Sequence, residues 1–263
     1  GDWPKWMVRV SADWFNVSSE NQSFNDAGGV SGAVDTDGDM AGGTILMQRV
    51  FPFGRLGLSL GMREGQFDAQ SSPVNGPSET MDYDRTIIDL RVEIDPAMGW
   101  ADLFNDKVAL YFFGGGRYEE RSGESVLEPN FVWAGTGSAT RDIDFESWTA
   151  LGGAGFAWYA IEPGKDDRNA RPLYVYVKGE GYGHAGMVES VRPAGKTEEG
   201  YAWGVGGRAT VGISYVVRTE KFDFTPLAEV GWEYEWTAYE DVTMIDDTAF
   251  YGPYARIGVQ YSW

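Results

Sequence analysis

The chain contains no cysteine, a single histidine, and no apolar run approaching the ~20 residues that a membrane-crossing helix needs. The missing cysteine excludes a disulfide framework. The missing apolar run excludes a helical membrane anchor. Basic residues are scarce too: Lys and Arg number 21 against 40 Asp and Glu, for a formal net charge of −19. That balance argues against nucleic acid as a partner, because phosphate binding needs a basic patch. Cations are what such a surface gathers. Mean hydropathy is −0.34, which an averaging scan reads as soluble.

What is present points elsewhere. The 263 residues include 36 Gly, and aromatics make up 15%. The length suits one large all-β domain, and neither an internal repeat nor a second domain is visible. The chain begins Gly1-Asp2-Trp3, which reads as a mature N-terminus after removal of a signal peptide. Ten stretches alternate with period two. In the first, about 5–17, Trp6, Val8, Val10, Ala12 and Trp14 share one face, while Arg9, Ser11 and Asp13 share the other. The eight residues from Trp6 to Trp14 cover about 20 Å of membrane normal on a tilted strand, close to the ~25 Å band between aromatic girdles.

The second stretch, about 40–51, has an ambiguous register because Ile45 and Met47 share a face with Arg49; a tight turn, Phe51-Pro52-Phe53-Gly54, follows it. The other stretches lie near 55–67, 81–94, 107–119, 145–161, 173–184, 201–217, 221–236 and 250–263. Trp148, Trp158, Trp203, Tyr215, Phe224 and Trp232 fall on apolar faces and join Trp6 and Trp14 as expected membrane-interface aromatics. Odd connections are long (18–39, 68–80, 120–144, 185–200, 237–249) and even ones mostly shorter, as in outer-membrane barrels. The segment 95–104 reads as a short interfacial helix or an ordinary loop. A soluble sandwich or lipocalin-like barrel would also alternate. Against it stand aromatics at strand ends on the apolar face and ionisable groups of both signs on the other face.

The last eight residues, Arg256-Ile257-Gly258-Val259-Gln260-Tyr261-Ser262-Trp263, read polar-x-Gly-x-x-aromatic-x-aromatic. Ile257, Val259, Tyr261 and Trp263 alternate with Arg256, Gly258, Gln260 and Ser262. This octet resembles the C-terminal insertion signal that the barrel-assembly machinery of Gram-negative bacteria reads, with Arg256, Gly258, Tyr261 and Trp263 at its defining positions. The resemblance implies a small outer-membrane β-barrel: all-β, ten-stranded, antiparallel, transmembrane and up-and-down, a single domain over 1–263. A cysteine-free chain also fits passage through an oxidising periplasm. Outer-membrane lipid, lipopolysaccharide and the assembly machinery are then the expected partners, with a protein partner through loops or barrel wall.

The inward positions hold Arg9, Arg55, Arg63, Arg85, Arg91, Lys107, Arg117, Lys178 and Arg208 against Asp13, Asp89, Glu93, Glu119, Glu180, Glu229, Glu233 and Glu235. Such near balance predicts interlocked salt bridges that plug the lumen, and places the excess acid in loops and turns. A wide diffusion pore is disfavoured, and a narrow cation-preferring path stays open as an alternative.

Two motifs carry chemistry. The architecture resembles the omptin proteases, in which an Asp-x-Asp pair faces an Asp-x-His pair across the rim to activate water. Asp82 and Asp84 match the first pair and His184 the second, but position 182 is Tyr where that family has Asp. Glu180 lies four residues before the histidine on the same face, and a lone His at a strand end also reads as an ordinary polar residue. Ser147 and Ser190 lie near strand ends with nothing pairing them to His184. Separately, Asp35, Asp37 and Asp39 alternate around Gly38 in the first long connection, a spacing that suits Ca2+. It lacks the closing Glu of an EF-hand, and Asp-Gly is equally a plain acidic turn. The expectation is a non-enzymatic barrel with no resident cofactor, structural, adhesin-like or complex-forming.

Overall fold

A computed structural model describes residues 6–24, 30–51, 54–72, 79–94, 108–126, 140–161, 173–191, 197–219, 221–242 and 247–263. Ten long strands dominate: β1 (Trp6–Phe24), β2 (Val30–Phe51), β3 (Gly54–Ser72), β4 (Glu79–Ile94), β5 (Val108–Val126), β6 (Thr140–Ile161), β7 (Leu173–Val191), β8 (Thr197–Tyr215), β9 (Asp223–Glu240) and β10 (Asp247–Ser262). Val217–Arg218 adds a two-residue pairing with the start of β9. Each strand pairs antiparallel with its sequence neighbour, and β10 also pairs with β1, so the sheet closes. Trp6 and Trp263 complete the seam by exchanging both backbone hydrogen bonds at 3.0 Å. Closure leaves no unpaired edge, which a bilayer does not tolerate.

Alternation then sorts the side chains. Val10, Ile45, Met47, Leu56, Leu58, Leu60, Met62, Ile88, Leu90 and Val92 are exposed on the outer face, among thirty large hydrophobics of the described residues that stay exposed. In water such a surface would aggregate; against lipid it is solvated. Trp14, Trp148, Trp158, Trp203 and Trp232 lie exposed on this face, and Trp6, Tyr215 and Phe224 lie half-buried on it. Arg49 shares the outer face, and its guanidinium stacks 4.8 Å from the Trp6 ring centroid. That contact settles the second strand's register: Arg49 sits at the membrane edge beside an interfacial Trp, with Gln48 buried in the lumen.

The strands are longer than the pattern suggests. They run 16–22 residues, whereas about 9–11 cross a bilayer. Most residues of the expected long loops prolong the hairpins instead. β1 and β2 pair from Trp6↔Arg49 up to Phe24↔Val30, so Asp35, Asp37 and Asp39 lie within β2 and not in a loop. Apolar alternation ends where lipid ends, but backbone pairing does not need lipid, so periodicity marks the membrane span and misses the extension. The acid follows. Asp37, Asp39, Glu64, Glu120, Asp142, Asp144, Glu146, Glu189, Glu199 and Glu240 are exposed on these extensions, correcting the expectation that excess acid sits mainly in loops and turns. In contrast, β8 stops at Tyr215, short of the expected Val217. The possible helix at 95–104 lies outside the described residues.

Tyr261 and Trp263 flank the closing seam on the lipid face, and Tyr261 packs edge-on against Phe224 with ring centroids 5.3 Å apart. Trp263→Ala with Tyr261→Ala is expected to lower the yield of membrane-inserted, heat-modifiable protein several-fold. Gel migration with and without boiling measures it, and normal insertion of the double variant would contradict the assembly role of the C-terminal aromatics.

Candidate functional site

The lumen is the one place where charge is concentrated and dry. At its centre Arg85 reaches Glu119 through Nε and also lies 3.7 Å from both Glu233 and Glu235. Arg121 bridges Glu119 and Glu235, with Nη1 2.5 Å from Glu235 Oε1. Arg208 donates to Glu233 at 2.6 Å, and the Tyr182 hydroxyl donates to Glu233 and Glu235 at 3.2 and 3.1 Å. On one side, Arg117 joins Asp89 at 2.6 Å to Glu180 at 3.2 Å, while Arg91 approaches the same two carboxylates. On the other, Arg256 joins Asp13 to Glu229, which also accepts from Lys178 at 2.8 Å and from the Tyr176 hydroxyl at 2.7 Å.

Eight cations and seven carboxylates thus interlock. Burying any one of them alone would be costly, so each holds the others in place. Arg63 is the weakest link: it lies 3.7 Å from Asp13, and its Nη1 has no hydrogen-bond partner. The cavity lined by Phe15, Met40, Arg85, Arg121, Glu233, Glu235 and Phe250 has a volume of about 10 Å³, room for a single water.

Glycine makes this filling geometrically feasible. A Cβ at Gly206 would collide with the Tyr182 ring, at Gly212 with Tyr176, at Gly155 with Tyr111, and at Gly231 with Tyr254. Each tyrosine lies across a neighbouring strand with no side chain, which brings its hydroxyl to the centre. Above the charges, in the extracellular extension, Phe145, Val188, Ala202 and Val242 form a buried apolar cluster with Ile143 and Tyr239. The lumen is therefore filled twice, by ion pairs within the membrane and by apolar side chains beyond it.

His184 stands between the two layers. It is buried; Nε2 lies 3.0 Å from Thr237 Oγ1, and Nδ1 has no hydrogen-bond partner. Phe145 meets its ring edge-on at 6.0 Å. Glu180, four residues away, is engaged by Arg91 and Arg117. The Ser147 and Ser190 hydroxyls are buried without hydrogen-bond partners. The side chains of Asp82 and Asp84 lie outside the described residues. Their backbone pairs with Gln66 and Glu64 in a register that continues unbroken to Leu58↔Leu90, so positions 82 and 84 have the parity of the outward Ile88 and Leu90. The even numbering of 82, 84, 88 and 90 carries that signal in the sequence itself.

Asp37 and Asp39 are exposed on the outer face of β2, where they accept hydrogen bonds from Ser18 at 2.7 Å and Asn16 at 2.8 Å. Asp35's side chain is outside the described residues. Strand β2 runs through Gly38 without a loop. Of the expected inward set, Lys107 and the side chain of Glu93 lie outside the described residues, and Arg9 donates to Gln260 at 3.4 Å. Arg121 was missed because position 121 fell in an expected loop, and Arg256 because its place in the C-terminal motif masked its role as a lumenal cation. Both have the inward parity of their strands.

No protein-family model and no curated protein sequence matches the chain. Solved structures do. The outer membrane protease OmpT from Escherichia coli superposes with a TM-score of 0.52 at 10% identity, covering 98% of this chain and 96% of that one. The transport unit of the autotransporter AIDA-I from Escherichia coli gives 0.46 at 8% identity, covering 98% and 90%. The outer membrane protein OprG from Pseudomonas aeruginosa gives 0.42 at 11% identity, covering 100% and 98%. At 10% identity the first likeness is one of fold, not of activity. The chain has the fold of an outer-membrane β-barrel: closed, antiparallel, ten-stranded and all-β.

Proposed function

We propose that this protein is a non-conducting, non-enzymatic barrel that forms a complex inside the outer membrane through its wall. The observation that carries the reading is a smooth sector of that wall. Gly114, Gly152, Gly181 and Gly207 pair directly across β5, β6, β7 and β8 as one row on the lipid face. Gly116, Ala150 and Gly183 form the row on the extracellular side, and Ala154, Gly179 and Ala209 the row on the periplasmic side. Bulky side chains bound it: Trp148, 71% exposed, and Met187 toward the extracellular side, Phe112, Phe156 and Val177 toward the periplasmic side. Adjacent strands lie ~4.8 Å apart, so four of them make a trough about 14 Å wide.

The fold does not demand most of these glycines, although a Cβ at Gly207 would come within 3.2 Å of the Glu180 carbonyl oxygen. A Cβ at Gly179 or Gly181 would meet nothing within 4 Å, and at Gly114, Gly116, Gly152 or Gly183 only ordinary contacts of 3.5–3.8 Å. Each strand glycine costs roughly 0.5–1 kcal/mol relative to Ala. Small residues on a lipid-facing surface let another backbone approach closely, where packing drives association between membrane-embedded elements. The trough supports a proteinaceous partner in the bilayer more directly than the acidic extensions support an adhesin.

Gly181→Leu and Gly179→Leu are expected to leave heat-modifiable folding intact and to reduce the complex at least tenfold on native gels of gently solubilised membranes. A wild-type protein that migrates as a bare barrel, or a leucine variant that keeps the complex, would overturn the reading.

The filled lumen supports the non-conducting part. Reconstituted wild-type protein is expected to show no large, stable channel in planar bilayers, whereas Arg85→Ala with Arg121→Ala, which removes both arginines that grip Glu119 and leaves Glu235 with the Tyr182 hydroxyl, should produce leak events. Porin-sized conductance from the wild type would end the closed-barrel reading, and small cation-selective events would favour the narrow-channel alternative.

The non-enzymatic part draws support from the surroundings of His184. An imidazole with a threonine on one nitrogen and nothing on the other lacks the carboxylate that would orient it as a base. Purified protein is expected to leave basic peptides uncleaved, and His184→Ala to leave folding and complex formation unchanged. Hydrolysis lost in that variant would establish an omptin-like activity instead.

A further inference from the structure

We infer that Arg256 sets the register in which the barrel closes. The seam between β1 and β10 joins the two ends of the chain. Val8↔Tyr261, Val10↔Val259, Ala12↔Ile257 and Trp14↔Ala255 all face lipid. A one-residue slip would turn every side chain to the wrong face. A two-residue slip would keep apolar residues outside and polar residues inside, so alternation alone does not forbid it. Something in the lumen must distinguish the native register from its neighbours two residues away.

Arg256 does so. It lies directly opposite Asp13 on β1 and directly opposite Glu229 on β9. Its guanidinium grips Asp13 with two bonds, Nε to Oδ1 at 2.5 Å and Nη2 to Oδ2 at 3.2 Å, and reaches Glu229 Oε2 through Nη1 at 3.2 Å. Among the described residues this is the one ion pair across the seam; Arg9 to Gln260 at 3.4 Å is the other polar side-chain contact there. Both carboxylates are held from behind. Asp13 accepts from Thr44 on β2 at 2.7 Å and faces Arg63 on β3, and Glu229 accepts from Tyr176 and Lys178 on β7. The anions are thus held by contacts with β2, β3 and β7 that do not cross the seam.

Slipping the seam by two would set Arg256 opposite Ser11 or Phe15, and Asp13 opposite Gly258 or Tyr254. Either register breaks the two-bond grip of Arg256 on Asp13, leaving Arg256 with Glu229 alone and Asp13 with Thr44 and the more distant Arg63, and losing half of a buried pairing is costly in the lumen. The fit is steric as well: a Cβ at Gly258 would come within 2.9 Å of Ser11 Cβ, so Gly258 admits Ser11 only as this register aligns them. Arg256 is a positioning residue for closure, separate from the aromatics that end the chain.

The absence of native cysteine makes the register directly readable. Ala12→Cys with Ile257→Cys reports the native seam, and Ala12→Cys with Val259→Cys or with Ala255→Cys reports the two slipped ones. In an otherwise wild-type chain only the first pair should form a disulfide in oxidised membranes. Arg256→Met should raise the ratio of slipped to native cross-link by about tenfold or more, as expected for losing one member of a buried pair. Arg256→Lys should hold the native register, and Arg9→Met should not disturb it. Should Arg256→Met fail to insert, Asp13→Asn decides, because it leaves β10 untouched: slipped cross-links support the inference, and native cross-links alone overturn it. Native cross-links alone in an inserted Arg256→Met barrel overturn it equally.

Discussion

A sheet in a bilayer has no water to satisfy its edges, so the bond between first and last strand is the constraint on which the rest of this structure depends. Once β10 pairs with β1, every side chain is committed to lipid or lumen. The lumen then becomes a confined, low-dielectric space in which no charge tolerates isolation. The protein answers with mutual neutralisation: arginines fork between carboxylates contributed by five strands, and tyrosine hydroxyls take up remaining lone pairs. Arg117 spans β4 and β7, and Arg85 spans β5 and β9. These ties run across the barrel as well as around it, and they hold the two walls together.

Glycine serves two opposite ends here. On the lumenal face it is a steric necessity, because tyrosine rings lie where its Cβ would stand. On the lipid face between β5 and β8, Gly179 and Gly181 meet open space and most of their neighbours only ordinary contacts, and the strands forgo stability there. The same residue type is thus explained by the fold on one side of the wall and left unexplained by it on the other. That asymmetry, and not the abundance of glycine, is what the proposed complex through the barrel wall rests on.

Sequence reading reached the architecture because a barrel's information is local. Parity along one strand is enough to place Leu56, Leu58, Leu60 and Met62 outside and Ser59 and Arg63 inside, and a strand needs no knowledge of its neighbours to show it. Reading failed where parity was blurred or context was required. Arg49 seemed to break β2 until Trp6 supplied its partner across the strand pair. Asp35, Asp37 and Asp39 suggested a cation loop, yet they belong to a straight hairpin, since pairing with β1 continues past the membrane edge.

Two things were determined by sequence alone: ten membrane-spanning strands and, where apolar alternation is clean, which residues they turn inward. Both follow from a two-residue period that needs only nearest-neighbour chemistry. Tertiary structure decided which charge meets which. Glu119 gained Arg85 and Arg121, Glu229 gained Lys178 and Arg256, and the histidine gained a threonine in place of an acid. Those choices rest on register, shear and the diameter of the closed sheet, which exist only once β10 has met β1.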